Sequence, residues 1–174
     1  MPHLQKPDAA VLRPFLNPET VLVPVPRSAP LREGALWPSR VICDVLVEHG
    51  FGREVLPMLE RIRALPKSSH SPAAERPLIH DHIDSMDVDK PLFCPDTITI
   101  VDDVLTMGRT SFSCAEMIRG VCPNADIRVF ALIRTQGFVE DIDKIVDPSV
   151  GLCCTNRGVR AVSLSPDGLS PLPL

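Results

Sequence analysis

Apolar positions along the chain fall into short runs separated by polar, proline-bearing stretches, and the runs alternate between strand-like and helical spacing. Thr20–Pro26 (TVLVPVP) is valine-rich and too short for a helix, which predicts a buried strand closed by Pro24 and Pro26. From Pro38 to His49 the residues Val41, Ile42, Val45 and Leu46 recur at helical spacing, with Pro38 suited to a first helical position and Gly50 to a stop. A further apolar run follows within Glu54–Leu65 (Val55, Leu56, Met58, Leu59). Residues 65–91 are polar, proline-rich and without period, which reads as a long loop of the kind that is usually functional in a compact domain. Thr97–Val101 (TITIV) is strongly β-branched and predicts a buried strand leading straight into Asp102-Asp103. Phe112, Ala115 and Ile118 share one face of a helix expected over Ser111–Val121, and Ile127–Ile133 (IRVFALI) predicts another strand. Strand, helix, strand with short connections is a βαβ unit. It implies an α/β fold with a central, mostly parallel sheet flanked by helices on both faces.

The expected organisation is an N-terminal segment 1–20, one α/β domain over 21–162 and a linker-like tail, Ser163–Leu174. Ala9–Leu16 is long enough for a short surface helix and no more. At 174 residues the chain fits one domain and leaves no room for a second catalytic one. An apolar fraction of 44% with 23% charged residues argues against disorder over most of the length, whereas 19 prolines imply long, shaped connections. A net charge of −4 provides no electrostatic footprint for nucleic acid, although a nucleotide-sized ligand needs only a local positive site. No apolar run is long enough to span a membrane, and the first residues lack the h-region of a signal peptide, so the expected location is cytoplasmic. The six cysteines (Cys43, Cys94, Cys114, Cys122, Cys153, Cys154) include no CxxC pair and are expected to be small core residues or inert thiols.

The chemistry concentrates in Ile98–Thr110 (ITIVDDVLTMGRT), where a strand precedes two carboxylates, then two aliphatics, then Thr-x-Gly-x-Thr entering a helix. The C-terminal end of a parallel strand opens a crevice, and the helix that follows begins with unpaired N–H groups and a partial positive charge. A phosphate suits that position. Gly108 allows a tight turn and close backbone approach, and the hydroxyls of Thr106 and Thr110 add donors. Ionised Asp102 and Asp103 only accept hydrogen bonds, so vicinal ribose hydroxyls or a hydrated magnesium ion are their natural partners.

This segment resembles the phosphoribosyl-diphosphate (PRPP) motif of type I phosphoribosyltransferases. The VPVPR start and Arg32-Glu33-Gly34 look most like the ComF-type branch of that superfamily. The resemblance implies the type I phosphoribosyltransferase fold, with Asp102 and Asp103 on the ribose hydroxyls and, indirectly through ribose or water, on Mg2+. It places Thr106, Met107, Gly108, Arg109 and Thr110 around the 5′-phosphate, Arg27 and Ser28 on pyrophosphate, and Lys67 and Arg76 of the long loop as cations closing on the same group. Met107 stands where the family has a small, commonly hydroxylated residue, and REGALW replaces the RGFNQ pattern of ComF-type chains. The implied activity is transfer of a phosphoribosyl group to a nitrogen base, or the reverse. The alternative is a non-catalytic PRPP- or nucleotide-binding module acting through a protein partner. A third reading, a magnesium-dependent receiver domain with paired aspartates, needs an acidic site after the first strand, where Arg27 stands instead. The base-binding hood is sought in residues 1–20 and 135–162, and related folds commonly form homodimers. Trp37 is read as a core or interface anchor, Glu60, Arg61 and Arg63 as a charged strand edge, and His80-Asp81-His82 as part of a solvated loop.

Overall fold

A computed structural model describes residues 9–66, 77–135, 149–154, 158–165 and 168–171. In chain order the elements are α1 (Ala9–Leu12), β1 (Val21–Pro24), α2 (Pro38–Glu48), β2 (Glu54–Val55), β3 (Leu59–Arg61), α3 (Ile79–Asp84) and β4 (Met86–Val88). They continue with β5 (Thr97–Leu105), α4 (Arg109–Val121), β6 (Asp126–Arg134), β7 (Val150–Cys154), β8 (Gly158–Ser165) and β9 (Gly168–Pro171). Four strands form one parallel sheet in the order β2-β1-β5-β6, with Val21 opposite Ile98 and Val101 opposite Phe130.

Alternation along the two central strands builds the core. Leu22 and Val101 point to the face covered by α2, where they meet Cys43 and Leu16. Val23, Ile98 and Ile100 point the other way and pack with Cys114 and Ile118 of α4 and with Leu59 and Met86 of the small antiparallel β3–β4 sheet. Both faces are therefore covered, as a parallel sheet requires. Pro24 is tolerated in a central strand because it ends β1 and pairing with β2 stops at Leu22, so its missing N–H interrupts no ladder. Gly52 lets the chain entering β2 pass close to β1: a Cβ there would fall 2.7 Å from the Leu22 side chain.

Several expectations are corrected. The strand that begins at Thr97 does not stop at Val101 but runs through both aspartates to Leu105, held by pairing of Asp102 with Ala131 and Leu105 with Arg134. The long stretch read as loop contains α3 and β4, since Met86 and Val88 join the apolar core under α4. The linker-like C-terminal stretch contains the end of β8 and all of β9, part of a three-stranded antiparallel sheet in the order β7-β8-β9. Two cysteines read as inert thiols, Cys94 and Cys122, form a disulfide that ties the approach to β5 to the end of α4 across 28 residues, with Cα atoms 5.4 Å apart. Among the described residues no helix is long and apolar enough to cross a membrane.

Candidate functional site

The C-terminal ends of β1 and β5 lie side by side, joined beyond the last paired residues by the Val25 N–H donating to Val101 O at 2.9 Å. A cleft of about 480 Å³ opens there, within the size range of small-molecule sites. Of the residues expected to bind ligand, Arg27, Ser28, Asp102, Asp103, Thr106 and Thr110 all line it. Met107, Gly108 and Arg109 do not. Gly108 adopts φ 73°, the left-handed conformation that a non-glycine residue resists, and it turns the chain from β5 into α4. The turn brings Thr106 and Thr110 to the cleft while Met107 lies half-buried beside it. Arg109 reaches sideways, its Nη1 donating to Pro77 O at 3.1 Å, which fastens the Gly108 turn to the chain just before α3. Lys67 and Arg76 lie outside the described residues.

The two aspartates differ in surroundings. Asp102 is 8% exposed and accepts a hydrogen bond from Ser111 Oγ of α4 at 2.8 Å. Burial pushes its carboxyl up from 3.8 to about 7, the neighbouring Asp103 adds to the rise, and the Ser111 hydroxyl opposes it. Asp103 is half-buried, and its Oδ1 accepts from the Val104 N–H at 2.9 Å. Burial thus holds the Asp102 carboxyl towards its protonated form, and donors arriving in the cleft would favour its ionised form.

Two side chains that line the cleft, Arg61 and His82, were not foreseen. Arg61 does not sit on an exposed edge: it is 2% exposed and lines the cleft. Its Nε donates to Arg27 O at 2.9 Å, and Nη1 donates to Ser85 Oγ, which in turn donates to His82 O at 2.8 Å. These acceptors are neutral, and among the described residues no carboxylate pairs with Arg61. Burial disfavours the charge of this guanidinium and lowers its pKa. The backbone of Ser28 is held in the same way from behind, its carbonyl accepting from the Leu65 N–H at 2.7 Å. His82 is the second. Far from lying in a solvated loop, it is 4% exposed on α3, lines the cleft, and has neither ring nitrogen hydrogen-bonded. Burial, with help from Arg61, lowers its pKa to about 4, so the imidazole is neutral.

The detectable signal for Arg61 was the pattern Leu59-Glu60-Arg61-Ile62. Strand alternation puts Leu59 and Arg61 on one face, and the structure buries both while leaving Ile62 57% exposed. Among the described residues no group of three or more histidine, cysteine or acidic side chains is placed to hold a metal ion. Comparison of the chain with protein-family models, curated proteins and solved structures returned no match.

Proposed function

We propose that this protein binds a ribose 5-phosphate group and acts as a phosphoribosyltransferase with a type I fold, moving the group between pyrophosphate and a nitrogen base. The observation that carries the reading is the convergence in one cleft of Asp102 and Asp103 with Thr106 and Thr110 at the two ends of the Gly108 turn and with Arg27, Ser28 and Arg61. Two acceptors for sugar hydroxyls, a helix start for a monoanionic or dianionic phosphate, and a pair of guanidinium groups for a second phosphate cluster match the charge layout of PRPP.

In such a transfer the bond from ribose C1 to pyrophosphate breaks as positive charge develops on the ring and the base nitrogen forms the new bond. Arg61 would meet the departing pyrophosphate with a charge already in place, a contribution of roughly 3–4 kcal/mol for a preorganised donor of this kind. Magnesium, if it takes part, would be held at Asp102 and Asp103 through water or ribose oxygens. Two neighbouring carboxylates, with no third acidic, histidine or cysteine ligand beside them among the described residues, suit outer-sphere contact better than a closed ligand set.

The test is to incubate the protein with Mg2+ and PRPP and follow pyrophosphate release against a panel of nitrogen bases. Turnover lost in Asp102→Asn/Asp103→Asn supports transfer. Binding without turnover, lost in the same double variant, supports the second reading, a ligand-binding module acting through a partner. That reading draws on Met107, which occupies the phosphate turn without reaching the cleft. Absence of PRPP binding overturns both.

A further inference from the structure

The cleft is two-sided in its chemistry. Besides the charged groups, Leu36, Trp37, Pro38 and Val104 line it, and two of these apolar side chains are open to solvent, Leu36 at 69% and Val104 at 39% exposure. Trp37 closes the approach to α2, and its indole Nε1–H donates to Val25 O at 2.8 Å. That bond consumes the only polar atom of the ring and pins its edge to the end of β1. Val25 is in turn bonded to Val101, the residue before Asp102, so the indole is fixed one strand away from the carboxylate pair. What the ring presents to the cleft is carbon surface.

From this arrangement we infer that Trp37, with Leu36 and Val104, forms a subsite for a planar heteroaromatic ring, so that the preferred occupant of the cleft is a ribose phosphate carrying a base rather than the sugar phosphate alone. The inference rests on the ribose-phosphate reading and adds to it the residue that recognises the base. A ribose phosphate by itself satisfies the aspartates, the Thr106–Thr110 turn and the arginines but leaves the apolar wall in water. A ring attached at C1 covers that wall. The rigid indole loses little entropy on stacking, and stacking of a base on an aromatic side chain tolerates any base because each has a π-face. The structure therefore assigns ring recognition to Trp37 and leaves discrimination among bases to other groups.

The chain offers a direct probe, because Trp37 is its one tryptophan and it has no tyrosine. Intrinsic emission reports on the cleft wall alone. Wild-type protein is titrated with ribose 5-phosphate and with adenosine, guanosine, cytidine and uridine 5′-monophosphates, following tryptophan emission and, in parallel, heat of binding. Expected are saturable quenching by the monophosphates, little change with ribose 5-phosphate, and monophosphate affinities roughly tenfold or more above that of the sugar phosphate. Trp37→Leu should bring the two classes to equal affinity, and Trp37→Phe should restore part of the difference; both are checked for folding by circular dichroism. If ribose 5-phosphate binds and the monophosphates bind no tighter and leave emission unchanged, the ring subsite is overturned while the ribose-phosphate reading stands. If free bases quench saturably and no ribose phosphate binds, the subsite stands and the ribose-phosphate reading falls. If nothing binds, both fall.

Discussion

Replacing Asp102 by Asn should make the protein more stable and less able to bind. In the folded chain the Asp102 carboxyl is buried, with a pKa raised from 3.8 to about 7, whereas the unfolded chain ionises it at its ordinary value. The raised value means that the fold prefers the protonated form. Stability is full below the unfolded pKa and is lost as pH rises from about 4 through the folded pKa near 7. A rise of about three units at ~1.36 kcal/mol each sets a ceiling of about 4 kcal/mol at and above neutral pH. Relaxation and water entry will reduce it, and roughly 1–3 kcal/mol is the expected gain for Asp102→Asn at pH 7.5. Asparagine is isosteric and can still accept the hydrogen bond from Ser111 Oγ, so no buried hydroxyl is orphaned. The assay is urea unfolding followed by circular dichroism at pH values from about 4 to 8, together with calorimetric titration of ribose 5-phosphate. The advantage of the variant over wild type should shrink as pH falls towards 4 and its ligand affinity should drop by more than about tenfold. A variant that is less stable than wild type at pH 7.5, or whose advantage does not change with pH, would refute the account of Asp102 as an ionised group held against its surroundings.

His82 acts in the opposite direction. Its folded pKa of about 4 lies below the unfolded 6.5, so its contribution is full above pH 6.5 and lost as pH falls towards 4. Because Asp102 gains over the same interval, the readout is the difference between variant and wild type: His82→Leu should gain about 2 kcal/mol relative to wild type between pH 7.5 and 5, and a constant difference contradicts this. Arg61→Met should lower affinity for inorganic pyrophosphate by more than about tenfold while changing stability by less than about 2 kcal/mol, since lost bonds to neutral acceptors are offset by relief of a buried charge. Unchanged pyrophosphate binding by calorimetry would remove Arg61 from the anion site. Cys94→Ser should cost roughly 2–4 kcal/mol through the loss of a 28-residue closure, measured by urea unfolding under non-reducing conditions. The disulfide lies at the opposite end of β5 from the cleft, so ribose 5-phosphate affinity should be unaltered, and a changed affinity would argue against that separation.

Where the apolar pattern was dense, the fold could be read in advance. β1, β5, β6, α2 and α4 follow from Val21–Val25, Ile98–Val101, Ile127–Ile133, Ile42–Leu46 and Ala115–Ile118, because each run sets at least part of one face against the core. The turn at Gly108 was legible too, since the left-handed conformation leaves few other residues to choose from. Arg61 was hidden for a physical reason. Charge normally signals the surface, and only tertiary neighbours (the Arg27 carbonyl, Ser85 and His82) make a buried guanidinium tolerable. α3 escaped for a related reason: among two histidines and two aspartates it offers a single apolar pair at helical spacing, Ile79 and Ile83, and it is stabilised by contact with α4, as in the Ser113 Oγ bond to Ile79 O.

That the aspartates hang from a hydrogen-bonded ladder, and not from a loop, separates what the site is made of from what it does. The backbone at Asp102 is held by β6 whatever side chain it carries, so a substitution there changes what faces the cleft without dismantling the ladder. The Thr106–Gly108 turn has no such support, which makes it the part of the site where sequence drift carries a structural penalty.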